Sequence, residues 1–407
     1  MLSLIDMIMA AILFAVLYTN IFHLLLWLEQ REKLKERGKA KAFPMVSVIV
    51  PAYNEAKNIK RCLKSILKQN YPKEKLEVIV VDDGSEDKTY EIAKGFQKHG
   101  VKVFRKRHEG KARALNFGLK KARGELVAVV DADSILDRDA IRKCVSYFDS
   151  KEVAAVTSHI LPRGNSLLEK LQRLEFMVIS VARKLQEAFN LIYATPGPLS
   201  VYRKDVLLKL GGFDERNLTE DIEICWRIIR AGYRVRMAYD ARVTTKYPKG
   251  LKSWLRQRAR WNIGGMQTLR KHFSAIFDEK TTPIKTWQIP LFLVGFASTL
   301  AGLCLFTYLW ANFLIKNSLY LIESLALGGN PLKLARLWLN IDIFTILGAI
   351  VFVTTLYSVL QALKLYDESF SKSELLIFLF IYVMLFPLAL GYAVLKVLLQ
   401  RKGWLTK

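Results

Sequence analysis

Four short groups of acidic, basic and aromatic residues lie in order along the first two-thirds of the sequence. They are Asp82-Asp83-Gly84-Ser85, Asp131-Ala132-Asp133, Thr219-Glu220-Asp221 and Gln257-Arg258-Ala259-Arg260-Trp261. Paired carboxylates can bind a divalent cation, a carboxylate can accept a proton from an attacking hydroxyl, and Arg and Trp can hold a phosphate and a sugar ring. Transfer of a sugar from a nucleotide diphosphate requires this set of groups.

Asp131 and Asp133 form the candidate metal site. They directly follow the apolar run Leu126–Val130, for which we predict a strand. Residues i and i+2 of an extended segment face the same side, so both carboxylates can reach a metal-bound diphosphate. Mg²⁺ and Mn²⁺ prefer such oxygen ligands. From these residues alone, a tripeptide that only caps a helix or forms a solvated turn stays an open alternative.

The other two acidic groups also have both a structural and a chemical interpretation. Asp83 precedes Gly84 after an apolar run, which suits a turn or a helix cap, but its carboxylate can also accept the N–H of a uracil base. Thr219-Glu220-Asp221 precedes a predicted helix, where capping is ordinary. A carboxylate there can instead deprotonate an acceptor hydroxyl if a dry pocket raises its pKa.

Gln257, Arg260 and Trp261 are spaced i, i+3 and i+4, and therefore share one face of a predicted helix. Arg can bind phosphate oxygens and Trp can stack on a sugar. The alternative is a basic amphipathic helix whose Trp lies at a lipid interface.

Alternating strands and helices must position these groups. Apolar runs predict strands at 46–51, 77–81, 101–104 and 126–130, with helices between them at 56–69, 88–98 and 112–122. This alternation predicts an α/β fold with a parallel-rich sheet, in which ligands bind beyond the carboxyl ends of the strands. Both aspartate pairs follow strands at those ends. Amphipathic helices predicted at 167–189 and 254–272 fit either the protein surface or a membrane interface.

Four runs without formal charge are long enough to span a bilayer as helices: Met7–Leu28, Thr286–Ile315, Ile343–Leu363 and Leu375–Leu395. A buried core helix can mimic one such run, but four are not expected in a soluble protein. The first run lacks the basic start of a secretory signal, so we expect a retained anchor. The basic stretch 31–41 places the following domain in the cytoplasm by the positive-inside rule.

The net charge of +25 is compatible with nucleic acid, anionic lipid or phosphorylated substrates as partners. The basic residues are dispersed and carry no nucleic-acid-binding motif, so we expect no nucleic acid partner. The four cysteines form no CxxC pair, which predicts neither a zinc site nor a disulfide framework.

The sequence resembles the membrane-bound, processive branch of the family 2 glycosyltransferases, which contains hyaluronan, poly-N-acetylglucosamine, chitin and cellulose synthases. The resemblance covers roughly 46–261. Besides the four groups above, it rests on Pro51-Ala52-Tyr53-Asn54-Glu55, Gly110-Lys111-Ala112-Arg113-Ala114-Leu115-Asn116 and Thr195-Pro196-Gly197-Pro198-Leu199-Ser200-Val201-Tyr202-Arg203. Seven motifs in this order are very specific.

The resemblance implies a role for each matching residue. Nucleotide-sugar binding falls to Tyr53, Glu55, Asp83, Lys111, Asp131, Gln257 and Arg260, and metal binding to Asp131 and Asp133. Asp221 is the implied base, with Glu220 beside it, and Thr219, Pro198 and Trp261 are the implied acceptor-binding residues. The implied cofactor is Mg²⁺ or Mn²⁺.

The implied activity is inverting, metal-dependent transfer from a UDP-sugar, with UDP-N-acetylglucosamine as our best prediction, to a growing β-linked polysaccharide at the plasma membrane. The alternative is transfer of one sugar to a membrane lipid; a scaffold or sensor without turnover is disfavoured because Asp133 and Asp221 are intact. Four spans are few for a closed polymer channel, so an accessory membrane subunit or a homo-oligomer is expected. The predicted segments are an anchor (1–30), a basic linker (31–45), a cytoplasmic glycosyltransferase domain (46–250), interfacial helices (251–285) and a membrane domain of about three helices (286–407).

Overall fold

The computed structural model describes residues 4–39, 43–278, 283–326 and 343–399. An eight-stranded sheet in the order β3-β2-β1-β4-β7-β6-β8-β5 forms its centre. The strands are β1 Val46–Ala52, β2 Leu76–Asp82, β3 Lys102–Arg105, β4 Leu126–Val129, β5 Ile135–Leu136, β6 Val153–Arg163, β7 Ser200–Arg203 and β8 Arg234–Lys246.

Thirteen α-helices lie in the part of the chain that the structure describes. They are α1 Leu4–Gln30, α2 Ile59–Leu67, α3 Thr89–Lys94, α4 Lys111–Lys121, α5 Ala140–Val145, α6 Leu167–Gln186, α7 Lys204–Lys209, α8 Glu220–Arg230, α9 Leu251–His272, α10 Ile289–Ala326, α11 Ile343–Tyr366, α12 Lys372–Ile377 and α13 Leu385–Leu398. A π-helical stretch, Ile284–Gln288, leads into α10, and another, Phe378–Tyr382, lies between α12 and α13.

The first half of the sheet is parallel, as the alternation of elements predicts. β1 pairs in parallel with β2 and β4, and β2 pairs in parallel with β3. Every residue of β1 is buried because helices cover both faces of a parallel sheet. The register pairs Ala52 with Asp82, so the carboxyl ends of β1 and β2 meet at the same edge. This edge carries the first aspartate pair.

The second half of the sheet is mixed and was not predicted from the sequence, which indicated mainly helices there. β7 runs antiparallel to β4 and β6, β8 runs parallel to β6, and the short β5 pairs antiparallel with β8. β8 has five charged residues in its thirteen, and this charge hides a strand from hydropathy patterns. The parallel-rich α/β fold is nevertheless confirmed.

Helices α6 and α9 lie between the sheet and the apolar helices. Met177, Val181 and Leu185 of α6 share a buried cluster with Leu26 of α1 and Ala362 of α11. Trp254 of α9 packs in a second cluster with residues of α6, α11 and α13. The two amphipathic helices therefore pack between the sheet and the apolar helices and are not free surface helices.

Four helical stretches are long and apolar enough to cross a membrane: Ile5–Gln30, Ile284–Glu323, Gly348–Tyr366 and Lys372–Leu398. They coincide with the four charge-free runs of the sequence. Parts of the predicted membrane domain, 327–342 and 400–407, lie outside the described residues.

Candidate active site

A cavity of about 480 Å³ opens where the sheet meets α6, α9 and the apolar helices. Its wall contains residues of five of the predicted motifs: Lys111, Asp131, Asp133, Pro196, Gly197, Pro198, Thr219, Glu220, Asp221, Gln257, Arg260 and Trp261. The wall also includes three phenylalanines of the apolar helices: Phe292 and Phe296 of α10 and Phe386 of α13. One cavity therefore joins the polar motifs to the apolar helices.

Lys111, the first residue of α4, lies at the centre of the polar wall. Its Nζ is 2.7 Å from Asp131 Oδ1 and 2.9 Å from Glu220 Oε1. The Gly197 carbonyl accepts the Asp131 N–H at 3.0 Å. A Cβ at Gly197 would lie 2.6 Å from Asp131 Oδ1, so any larger residue would displace the carboxylate of Asp131 and the ammonium of Lys111. A cation and an anion thus face the space where a diphosphate would bind.

Asp133 follows Asp131 in the turn after β4 and accepts a hydrogen bond from Thr245 Oγ1 at 3.0 Å. Burial raises the pKa of Asp133 to about 6 together with the carboxylates of Asp131 and Glu55, although the hydrogen bond from Thr245 opposes the shift. A hard divalent cation prefers carboxylate oxygens as ligands, and it would reduce the repulsion between these crowded, partly buried carboxylates. Mg²⁺ commonly binds through one or two carboxylates and substrate phosphates, which fits this pair.

Glu220 and Asp221 are the first two residues of α8. Thr219 precedes them but makes no side-chain capping bond; its N–H donates to Asn217 Oδ1 at 2.9 Å. Burial and the adjacent Glu220 raise the pKa of Asp221 to about 6, against the opposing effects of Lys111 and Arg260. For Glu220, burial is the largest influence and raises the pKa, but Lys111 and Arg260 together lower it by more, so the net shift of the pKa is downward. Of the two, Asp221 is the carboxylate suited to accept a proton near neutral pH.

The predicted uridine-binding residues lie beyond the carboxyl ends of β1 and β2. The buried Asp83 carboxylate accepts hydrogen bonds from Lys106 Nζ at 2.9 Å and the Gly110 N–H at 2.8 Å. The His108 ring stacks on Tyr53 with centroids 4.0 Å apart, and its Nδ1 lies 2.9 Å from Asp83. The aromatic ring and the carboxylate that a base would contact lie together. Because the Asp83 carboxylate already accepts hydrogen bonds from protein groups, its contact with a uracil stays a prediction.

Glu55 does not line the cavity, although it lies close enough to affect the pKa of Asp133. Its Oε2 accepts a hydrogen bond from Asn58 Nδ2 at 2.5 Å. Glu55 therefore helps to hold the β1–α2 loop beside the candidate metal site, and its contact with the nucleotide sugar stays a prediction.

Gln257, Arg260 and Trp261 lie on α9 as predicted. Arg258, to which the sequence analysis gave no role, contacts two of them. Arg258 is 3% exposed, its Nη2 donates to Glu175 Oε2 at 2.5 Å, and its Nη1 donates to Gln257 Oε1 at 2.7 Å. Its guanidinium lies 4.2 Å from the centre of the Trp261 ring. Arg260 is exposed and donates to the Leu218 carbonyl at 3.4 Å. Arg258 therefore holds Gln257 and Trp261 in place, while the exposed Arg260 side chain lines the open cavity.

Two comparisons of the sequence identify the domain. Residues 47–211 match the profile of Glycosyl transferase family 2. The chain is 30% identical over 261 residues to "Probable glycosyltransferase YdaM" of Bacillus subtilis (strain 168), across 62% of each protein. This chain contains a family 2 glycosyltransferase domain.

A second relative of the family 2 domain is "Poly-beta-1,6-N-acetyl-D-glucosamine synthase" of Staphylococcus aureus (strain COL). It is 29% identical over 269 residues, which is 65% of this chain and 63% of the relative. The matches thus span less than two-thirds of either relative. Among solved structures, "Mannosyltransferase PcManGT from Pyrobaculum calidifontis in complex with GDP-Man and Mn2+" has a TM-score of 0.63 at 23% identity, over 97% of this chain and 99% of that one. At this identity, the likeness supports the fold alone.

Several residues that line the cavity were not predicted from the sequence. Glu175, Arg183 and Tyr193 come from α6 and the loop after it, and Thr245 comes from β8. No motif marks them. For the two α6 residues, the available signal was a charged residue on the otherwise apolar face of an amphipathic helix, which in a buried helix requires a partner.

Proposed function

We propose that this chain transfers a sugar from a nucleotide diphosphate sugar to a hydroxyl of a membrane-associated acceptor, with inversion at the anomeric carbon. The observation that carries the proposal is a single cavity that holds a lysine bridging two carboxylates, a carboxylate pair beside it, and Asp221 with its pKa raised to about 6. These are the groups required by the leaving diphosphate and by the attacking hydroxyl.

The reaction would proceed by in-line displacement. Asp221 accepts the proton of the acceptor hydroxyl as its oxygen bonds to the anomeric carbon, and the bond from that carbon to the diphosphate breaks with its electron pair leaving on the diphosphate. Lys111 and Arg260 bind the phosphate oxygens and stabilise the charge that develops there. A divalent cation held by Asp131 and Asp133 would supply further charge stabilisation to the diphosphate.

The donor we propose is UDP-N-acetylglucosamine. Support comes from the relative named as a poly-β-1,6-N-acetyl-D-glucosamine synthase and from the stacked Tyr53 and His108 beside Asp83, which suit a flat base. With that donor, a growing β-linked polysaccharide is the leading acceptor, and processive synthesis by a multi-pass plasma-membrane protein with a cytoplasmic site is the leading arrangement.

A second acceptor class, a membrane lipid that receives one sugar, has its own support. The cavity wall includes Phe292, Phe296 and Phe386, which lie on helical stretches apolar enough to cross a membrane. An acceptor with a hydrocarbon chain would match that wall. Product length separates the two classes.

The test is incubation of the protein in nanodiscs with Mn²⁺ and radiolabelled UDP-N-acetylglucosamine, followed by sizing of the product. A high-molecular-weight ladder would support polymer synthesis, and one lipid-extractable species would support the lipid acceptor. The Asp221→Asn variant should bind UDP but transfer no sugar. The matched control is Asp205→Asn, which makes the same change at an exposed position of α7. Equal transfer by the Asp221→Asn variant would refute the proposed base.

A further inference from the structure

Arg183 of α6 is a buried cation in the wall of the active-site cavity. Its side chain is 4% exposed, and its Nε and Nη1 have no hydrogen-bond partner among the described residues. Its Cζ lies 6.0 Å from the centre of the Tyr193 ring, which also lines the cavity. Two donors of a fixed charge are therefore left unsatisfied beside an open space.

The two carboxylates nearest to Arg183 along the chain are already paired with other cations. Glu175 is bound by Arg258 at 2.5 Å, and Glu187, in the turn after α6, is bound by Lys184 at 2.9 Å and by Arg236 at 2.8 Å. Burying an ionised side chain without a partner costs several kcal/mol, so such a group is expected to have a partner in its working state. For Arg183, the cavity is the direction from which an anion can come.

The wall around Arg183 shows what kind of molecule would carry that anion. Phe176 and Ile179 of α6 and Phe292 and Phe296 of α10 contribute apolar surface to the same cavity. The stretch that holds the two α10 phenylalanines is apolar enough to cross a membrane. A cavity of about 480 Å³ is in the range of ligand pockets and holds a headgroup-sized molecule. The guanidinium fork matches the geometry of phosphate oxygens.

We infer that Arg183 binds the phosphate of an anionic lipid acceptor. The hydrocarbon chain of this lipid lies against Phe292 and Phe296, and its free hydroxyl reaches Asp221. The inference rests on the proposed sugar transfer for its biological meaning, but lipid binding is measured without turnover. It develops the second of the two proposed acceptor classes, the membrane lipid, and it predicts that this lipid is anionic.

The experiment measures the thermal unfolding midpoint of the purified protein in a neutral maltoside detergent. Three probes are added separately: dodecyl phosphate below its micelle concentration, inorganic phosphate and 1-dodecanol. They are applied to the wild type, Arg183→Met, Arg183→Lys and Arg256→Met, the last being an exposed arginine of α9 that controls for loss of one positive charge. Binding of UDP is titrated in each variant.

Dodecyl phosphate should raise the midpoint of the wild type and of the Arg256→Met variant by several degrees, inorganic phosphate should raise it less, and 1-dodecanol should leave it unchanged. Without ligand, Arg183→Met should be at least as stable as the wild type, because it removes an unpaired buried charge, and it should lose the response to dodecyl phosphate. Arg183→Lys should keep part of the response. All variants should bind UDP like the wild type.

Other results would overturn the inference in distinguishable ways. Equal responses to dodecyl phosphate and inorganic phosphate would indicate a site for the free anion and exclude the lipid. If 1-dodecanol raised the unfolding midpoint as much as dodecyl phosphate does, the phosphate would not be recognised. If Arg183→Met kept the full response to dodecyl phosphate, Arg183 would not be the residue that binds it. A less stable Arg183→Met variant rescued by lysine would indicate a structural cation. None of these results bears on Asp221, whose role is tested by transfer.

Discussion

A buried ion pair joins α9 to α6, and a tyrosine hydroxyl from the apolar helical stretch Lys372–Leu398 also donates to its carboxylate. Removing the charge of this pair should lower the stability strongly. Glu175 is 6% exposed, and its Oε2 accepts from Arg258 Nη2 and from the Tyr382 hydroxyl, both at 2.5 Å. The same hydroxyl accepts the Trp254 indole N–H at 2.9 Å. The perturbation is Glu175→Gln, which preserves shape and removes the charge.

The magnitude follows from the burial of both partners. Breaking a buried pair and leaving one charge uncompensated costs about 3–5 kcal/mol. At roughly 2 °C per kcal/mol for a large chain, the unfolding midpoint should fall by about 6–10 °C. An exposed pair provides the matched control: Glu215→Gln breaks the bond to Arg113, whose side chain is 47% exposed, and should cost no more than about 1 kcal/mol.

The assay is thermal unfolding in detergent together with UDP binding and sugar transfer. The double variant Glu175→Met with Arg258→Met replaces the pair by apolar groups and should restore the midpoint to near the wild-type value. It should still transfer sugar slowly, because Trp261 loses the guanidinium that lies 4.2 Å from its ring. A wild-type midpoint for Glu175→Gln, or a double variant as unstable as the single one, would refute the charged pair.

The remaining predictions concern the base, the loop beside Lys111 and the cation. Because the pKa of Asp221 is raised to about 6, kcat/KM should rise as pH increases from 5 to 7 with a midpoint near 6, and a flat profile would exclude Asp221 as the base. Gly197→Ala should weaken UDP binding and transfer, since its Cβ would lie 2.6 Å from Asp131 Oδ1; Gly250→Ala, whose Cβ meets nothing closer than 3.9 Å, should have no effect. Chelation with EDTA should abolish transfer and Mn²⁺ should restore it; full activity after chelation would contradict a metal at Asp131 and Asp133.

The sequence predicted the parts of the site that depend on local pattern. Apolar runs followed directly by aspartates locate the carboxyl ends of β2 and β4, and the i, i+3, i+4 spacing places Gln257, Arg260 and Trp261 on one helix face. These inferences need only the periods of strands and helices and the rule that ligands bind beyond strand ends. They succeed because the relevant residues are neighbours in sequence.

The rest of the site depends on contacts between distant segments. Arg258 and Glu175 are 83 residues apart, and Tyr382 lies 207 residues beyond Glu175. No periodicity relates such positions, so a sequence shows only that a charged residue lies on an apolar face. The strand β8 was missed for a related reason, because its charged residues contact partners such as Glu187 that the sequence does not place beside them.

Helix α9 packs closely on the turn Thr219-Glu220-Asp221, and this contact leads to a prediction with a direct control. Gly264 and Gly265 are adjacent in α9 and both buried. A Cβ at Gly264 would lie 2.7 Å from the Thr219 Cβ, whereas a Cβ at Gly265 would meet nothing closer than 3.5 Å, an ordinary contact with Phe292. Replacing glycine by alanine within a helix favours the helix by about 1 kcal/mol at either position. The two substitutions therefore differ only in what the new methyl group meets.

Gly264→Ala should push Thr219 away from α9 and shift Glu220 and Asp221 with it, because these residues begin α8 directly after Thr219. Transfer should fall at least tenfold, since catalytic groups tolerate little displacement. Gly265→Ala should retain transfer and unfold at the same temperature as the wild type or higher. Measuring kcat, KM and the unfolding midpoint for both variants decides the matter. If the two variants lost activity equally, the packing of Gly264 on Thr219 would not explain the loss, and the flexibility of α9 would be the cause instead.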